Sequence, residues 1–234
     1  MTTTTKLGTL MAILLAAGCS SSSNGATADA GPAAEDSSVN VDADTDADEA
    51  GEAGPANGCV YPSGPYGTAV GKVPDPSMTW QGFAPGATTV STVNITDFYD
   101  CDGSRGITAL VVDSGAQWCV ACQYYAPFVP TWMSSKGDNW TALGVRYLNL
   151  IIQDNASDPG TVTTAQQWRD QFKLTSIYVV ADPTDSFPTN SLPNELLIDP
   201  RTMKVVGNLT SDTTLNNDGS DPKVTALAKK NGGK

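Results

Sequence analysis

Histidine is absent from this 234-residue chain, and cysteine is scarce, with five in all. A structural zinc needs about four nitrogen, sulfur or oxygen ligands, and one Cys-x-x-Cys with no histidine and no second cysteine pair at ligand spacing does not assemble them. Long apolar runs are missing too. The longest, from Leu7 to Ala17, is about half of the roughly twenty residues that a bilayer-crossing helix requires. Positive charge is thin: 13 Lys and Arg stand against 25 Asp and Glu, a net charge of −12. That balance excludes nucleic acid as an expected partner.

What is there begins with an export signal. Lys6, the apolar run and the small residues that follow it read as a signal peptide over 1–18. Leu15-Ala16-Ala17-Gly18-Cys19 resembles the lipobox of bacterial lipoproteins, in which the cysteine is acylated and becomes the first residue of the mature chain. Ala16 departs from the Leu usual at its position. The resemblance implies a lipid anchor on Cys19; the alternative is an ordinary secretory signal with an incidental cysteine. In a Gram-negative host, Ser20 after it implies sorting to the outer membrane, facing the periplasm.

Residues 19–58 carry almost no large apolar side chain and are expected to be a disordered tether. Nine of the 25 acidic residues lie in it with no Lys or Arg, so the charge is mostly a tether property and the remainder of the chain is only mildly acidic. The run Val41-Asp42-Ala43-Asp44-Thr45-Asp46 looks superficially like a calcium loop. Ala47 stands where the turn glycine belongs, however, and Ala53 where the closing glutamate belongs, which favours a self-repelling spacer. No metal and no cofactor is expected.

Residues 59–234 suffice for one domain of ordinary size. Short, continuously apolar, β-branched runs mark buried strands at Ile107–Asp113, Gly144–Gln153, Ser176–Asp182, Leu192–Asp199 and Met203–Gly207, with a further strand at Thr88–Ile95. Thr163-Thr164-Ala165-Gln166 resembles a capping box opening a helix through about Phe172, and Asp221-Pro222 opens a terminal helix ending near Gly232. Strands alternating with helices predict an α/β layer structure with a partly parallel sheet.

Gln117-Trp118-Cys119-Val120-Ala121-Cys122-Gln123 then poses the central choice: a structural staple, half a metal site or a redox couple. The surrounding sequence resembles the thioredoxin active-site region at several coupled positions, with Asp113 six residues before the first cysteine, Trp118 just before it, a two-residue spacer, and Pro127 five residues after the second. Ser191 to Gly207 likewise looks like the family's cis-proline and hairpin, with Pro193 in the proline position and Pro188 as the rival. The extra strand and helix between Asn149 and Ala181 are more like tethered periplasmic disulfide reductases and peroxiredoxin-like proteins than minimal thioredoxin. Ala116, where peroxiredoxins resemble Thr-x-x-Cys, disfavours a peroxidase. The lack of both CxxxC and histidine sets the chain apart from copper chaperones on this fold.

The resemblance implies a thioredoxin-like three-layer α/β fold, with a mixed central sheet flanked by helices and an inserted strand-helix unit. It implies a thiol–disulfide oxidoreductase, tilted towards reductase by Asp113, acting on disulfide-containing envelope proteins with an electron donor that the sequence does not name. A helix N-terminus favours the thiolate, so Cys119 is expected to be the exposed nucleophile and Cys122, one turn in and more buried, the resolving thiol. Asp113 would take the Cys122 proton; its alternative role is a strand-end carboxylate capping a turn. Trp118 reads as packing, Pro127 as a helix kink, and Pro193 as backbone for an extended substrate. The alternative for the whole chain is a redox-inactive binding or structural lipoprotein on the same fold. Cys59 and Cys101, left once the other three are assigned, are expected to form a structural disulfide, with separate thiols or a second exchange site as the alternatives.

Overall fold

The computed structural model describes residues 59–134, 139–210 and 220–234, all within one unit that runs from Ala50 to Lys234. The expected signal peptide over 1–18, the expected lipid site Cys19 and the expected tether over 19–58 lie outside the described residues.

Among the described residues, seven strands form one mixed sheet. In chain order they are β1 (Thr79–Phe83), β2 (Ser91–Asn94), β3 (Ala109–Ala116), β4 (Val145–Gln153), β5 (Tyr178–Ala181), β6 (Asn194–Asp199) and β7 (Lys204–Asn208), and their spatial order is β2-β1-β5-β4-β3-β6-β7. The middle three, β5, β4 and β3, are parallel, while β6, β7, β1 and β2 join antiparallel. Central strands buried on both faces need apolar side chains in both directions, which is why Ala109–Val112 of β3 and Leu150–Ile152 of β4 are apolar runs.

The helices follow from the connections. Between β3 and β4 lie α1 (Val120–Tyr125), a 3-10 turn (Ala126–Phe128), α2 (Val129–Ser134) and α3 (Trp140–Leu143), and between β4 and β5 lies α4 (Val162–Phe172). Two parallel crossovers moving the same way along a sheet, both right-handed, place their helices on one face. The packing agrees. Trp132, Trp140, Trp168 and Leu174 share one apolar cluster with Val111, Tyr147 and Val179, and α5 (Pro222–Lys230) joins it through Val224, Leu227 and Ala228. The opposite face, carrying Leu110, Val112, Leu148, Val180 and Ile198, is covered by the N-terminal segment, a 3-10 turn (Ile95–Phe98) and the loop holding Phe187. Among the described residues the third layer is therefore loop and 3-10 turn, and the α-helical flank is single, where helices on both faces were expected. With strand β3 leading into the cysteine motif, the parallel β4, and the antiparallel hairpin β6–β7, this is the thioredoxin-like arrangement, and α4 with β5 is the inserted unit.

Two element expectations need correction. Helix α4 starts earlier than predicted: Thr161 is its N-cap and forms a capping box with Thr164, each side chain bonding the other's backbone N–H. Thr161 follows Gly160, whose tight approach to β4 fixes the turn there. Strand β1 was not predicted, because its five residues include a glycine. Gly82 is there for closeness: a Cβ on it would lie 2.5 Å from the Val180 Cα on β5, so only glycine lets these strands meet.

Cys59 and Cys101 are disulfide-bonded, with Cα atoms 6.0 Å apart and a sequence separation of 42. Closing such a loop limits the unfolded chain and stabilises the fold by about 4 kcal/mol in the chain-entropy account. The bond fastens the loop-rich N-terminal segment over the helix-free face, beside the Tyr61–Tyr99 edge contact.

Candidate active site

Strand β3 delivers the cysteines. After Ala116 the chain turns, Cys119 becomes the N-cap of α1, and its sulfur accepts a hydrogen bond from the Cys122 backbone N–H at 3.1 Å. One helical turn brings Cys122 beneath it, and the two are joined as a disulfide with Cα atoms 5.2 Å apart. Pro127 lies in the 3-10 turn that interrupts the helical run between α1 and α2, where it removes a backbone donor and tightens the chain.

Glutamines hold this turn in place, and sequence reasoning did not single them out. The Gln117 N–H donates to the Gln153 carbonyl, and its side-chain amide donates to the Thr164 carbonyl and to Gln167 on α4. Gln123 donates to the Gln117 carbonyl, and the Trp118 indole N–H donates to Gln153 Oε1 at 2.9 Å. The motif is thus tied to β4 and α4 by neutral amides. Trp118 has a polar anchor as well as the packing role expected of it.

The cysteines are not arranged as expected in one respect. Cys119 and Cys122 are each only 4 % exposed, so the first is no more open than the second. The Cys119 sulfur is bonded to Cys122 and also accepts the Cys122 backbone N–H. The openness belongs to the neighbours: Trp118, Val120, Tyr124 and Phe128 are exposed apolar side chains around the pair, and Tyr124 contacts both Tyr125 and Phe128. From Ser114 through Ser135 the chain carries no charged residue, so this rim is aromatic and uncharged.

Pro193 is preceded by a cis peptide bond, as is Pro65, whereas Pro188 is not. In the antiparallel β3–β6 register Ser114 faces Asn194, which places Pro193 next in line, beside Gly115 at the end of β3. Leu192 packs against the cluster that contains both cysteines. The structure therefore brings Cys119, Cys122 and Pro193 to one end of the sheet.

Asp113 sits on the same face, two residues before Gly115, and a Cβ built on Gly115 would be 3.5 Å from the Cys122 sulfur. No turn is capped by Asp113. Its Oδ2 accepts from the Asn149 side-chain amide at 2.9 Å and from the Tyr147 hydroxyl at 3.2 Å, while Oδ1 is buried without a hydrogen-bond partner. Burial first, and the like charge of Glu195 second, push Asp113 well above the ordinary carboxylate range, against the opposing Tyr147 hydrogen bond.

Glu195 was missed by sequence reasoning. It lies directly across the β3–β6 ladder from Asp113, and the Tyr147 hydroxyl is 2.9 Å from its Oε1. Burial raises Glu195 too, the Tyr147 hydrogen bond opposes that, and the Asp221 charge adds to it. Burial, then both carboxylates, hold the Tyr147 phenol protonated. Only knowledge of the strand register could have found this group, and the signal available was weak: an acid two residues after the proline, at the start of an apolar strand.

No protein-family profile matches the chain, and no curated protein matches it. Among solved structures, a thiol:disulfide interchange protein from Bacteroides sp. is 17 % identical, covering 70 % of this chain and 91 % of that one, with a TM-score of 0.45. A thioredoxin-family thiol:disulfide interchange protein from Chlorobium tepidum is 13 % identical over 65 % of this chain and 94 % of its own, with a TM-score of 0.42. A 2-Cys peroxiredoxin from Plasmodium vivax is 15 % identical over 68 % and 80 %, with a TM-score of 0.47.

Proposed function

We propose that the chain is a thiol–disulfide oxidoreductase, working as a disulfide reductase on proteins of the bacterial cell envelope, to which it is anchored by lipid on Cys19. One observation carries this reading: the Cys119–Cys122 disulfide sits at the start of α1, on Gly115, with a buried carboxyl held protonatable by its surroundings two residues along the same strand face. A staple needs no such carboxyl. Exchange does, because the resolving thiol must lose a proton inside the protein before it can attack.

In the reduced protein the Cys119 thiolate attacks a substrate disulfide, forming a mixed disulfide and releasing one substrate thiolate. Cys122 then attacks the Cys119 sulfur, the substrate's second sulfur leaves with its electron pair, and the Cys122 proton passes to Asp113. The protein pair is oxidised by two electrons and the substrate is reduced by two, so an external dithiol donor must restore the pair. The uncharged aromatic rim suits substrate segments that are apolar beside their cysteines, with Pro193 offering an extended backbone for pairing. The test is reduction of insulin disulfides by the full chain with dithiothreitol as donor. Catalysis above the dithiothreitol background is expected, and the Cys119→Ser variant reduces no faster than that background.

A redox-inactive binding lipoprotein is the second reading, favoured by the low exposure of Cys119. Alkylation separates the two. A reduced Cys119 that reacts at mildly acidic pH no faster than a free cysteine supports the binding reading, whereas faster reaction supports exchange.

A further inference from the structure

The Asp113–Tyr147–Glu195 group contains fewer hydrogens than its contacts require. Tyr147 has one hydroxyl hydrogen, yet its oxygen lies 3.2 Å from Asp113 Oδ2 and 2.9 Å from Glu195 Oε1. A phenol donates once, so the second contact needs a proton supplied by one of the carboxyls. The Asn149 amide group uses its two hydrogens on the Asp113 carbonyl and on Asp113 Oδ2, which leaves Asp113 Oδ1 and Asn149 Oδ1 as buried acceptors with no donor. Glu195 is also the direct cross-strand neighbour of Asp113, and two ionised carboxylates in such a position repel.

We infer that Asp113 and Glu195 form one proton-holding pair bridged by Tyr147, and that Glu195 is a positioning residue that sets when Asp113 is free to accept the Cys122 proton. This rests on the exchange reading of the cysteines. With one proton in the pair, Glu195 carries it and donates to the Tyr147 oxygen, and the Tyr147 hydroxyl donates to the Asp113 carboxylate. Asp113 Oδ1, the unpartnered atom, then receives the proton of Cys122 as the Cys122 sulfur closes on Cys119. The Cys119–substrate bond breaks, its electron pair leaves on the substrate sulfur, and the pair holds two protons and no charge. Loss of one proton to solvent resets it. The groups beside the pair are Tyr147 and Asn149 from β4 and Asp221 from the N-cap of α5, whose charge acts on Glu195, while Cys122 from α1 rests on Gly115, the next residue along the same strand face.

Two measurements on the full chain test this. Infrared spectra of the oxidised parent at neutral pH are expected to contain a protonated-carboxyl band whose titration midpoint falls in Glu195→Gln, because the repelling charge is gone. In single-turnover release of a small aromatic thiol from a Cys119 mixed disulfide, the rising limb of the pH profile stays with the parent's in Glu195→Gln, whose amide still donates to the Tyr147 oxygen, and moves to higher pH in Glu195→Leu, which cannot donate. Glu195→Asp returns it towards the parent, and Tyr147→Phe makes the Glu195 substitution without further effect. A parent with no protonated-carboxyl band at neutral pH, or a Glu195→Leu profile superimposable on the parent's, overturns the inference. A parent that has the band and its Glu195-dependent shift but reduces no disulfide overturns the exchange reading alone and leaves the shared proton standing.

Discussion

Gly115 lies beneath Cys122, close enough that a Cβ in its place would touch the sulfur at 3.5 Å and the Cys122 Cβ at 3.6 Å. These are ordinary contact distances, so one methyl fits and more does not. Gly115→Ala is expected to fold with stability close to the parent's. Gly115→Val drives a branched side chain into the disulfide and costs about 1–3 kcal/mol through overpacking. Urea unfolding midpoints of the oxidised proteins check both; equal midpoints for the two variants would mean that the strand and α1 move apart freely.

A second prediction concerns the end of the sheet away from the cysteines. Asp100 is fully buried and ion-paired to Arg201 at 2.9 Å, and its carboxylate also accepts from the backbone N–H groups of Arg105 and Ile107. Arg201 reaches on to the Asp100 carbonyl and, at 2.9 Å, to the Asn231 carbonyl just beyond α5. Removing the guanidinium leaves a buried carboxylate without its counter-charge. Arg201→Met is expected to cost about 3–5 kcal/mol, with loosening of the chain end detectable as faster amide exchange in α5. Insulin reduction by the folded fraction stays at the parent rate.

Much of this architecture is legible in the sequence, and for a physical reason. Strands buried on both faces must be largely apolar, so β3, β4 and β5 announce themselves locally, as does α5 through Asp221 and Pro222. The cysteine motif, Asp113 and Pro193 were legible because their spacing is local. What depends on register was not. Glu195 meets Asp113 only because β6 returns antiparallel beside β3, and Tyr147 reaches both only from the neighbouring β4. The cover over Cys119 and the single helical face likewise arise from tertiary packing, which leaves little local trace.

The carboxyl pair also makes stability depend on pH, and the sign can be worked out. Asp113 and Glu195 are both raised in the folded protein, chiefly by burial, so the folded state holds their protons more tightly than the unfolded chain does. Their contribution to stability is fully present below the ordinary unfolded carboxylate values and is lost as pH rises through the raised folded ones. In Asp113→Asn one of these groups cannot ionise. The oxidised variant is therefore expected to gain stability relative to the parent as the solution is taken from acid to mildly alkaline, measured as the difference between their urea midpoints across pH. A difference that stays constant, or that falls with rising pH, would contradict the raised carboxyls.

The division of labour between the cysteines is open to a direct experiment even though the two are equally covered in the disulfide. Cys119 caps α1, where unpaired N–H groups and the helix dipole favour a thiolate once the pair is reduced, and exposed Trp118 and Val120 flank it. Cys122 rests on Gly115 inside the apolar cluster, where a thiolate is disfavoured until a base takes its proton. Removing the resolving thiol should stop the reaction half-way. Cys122→Ser is expected to accumulate mixed disulfides through Cys119 with envelope proteins, seen as reducible high-mass bands on non-reducing gels, with more than tenfold fewer in Cys119→Ser and none in the double variant. Lipid labelling of the same strains that vanishes in Cys19→Ala would place these adducts on an anchored protein. If Cys119→Ser traps partners as well as Cys122→Ser does, position at the helix start does not select the nucleophile, and the roles must be assigned by access from the aromatic rim instead.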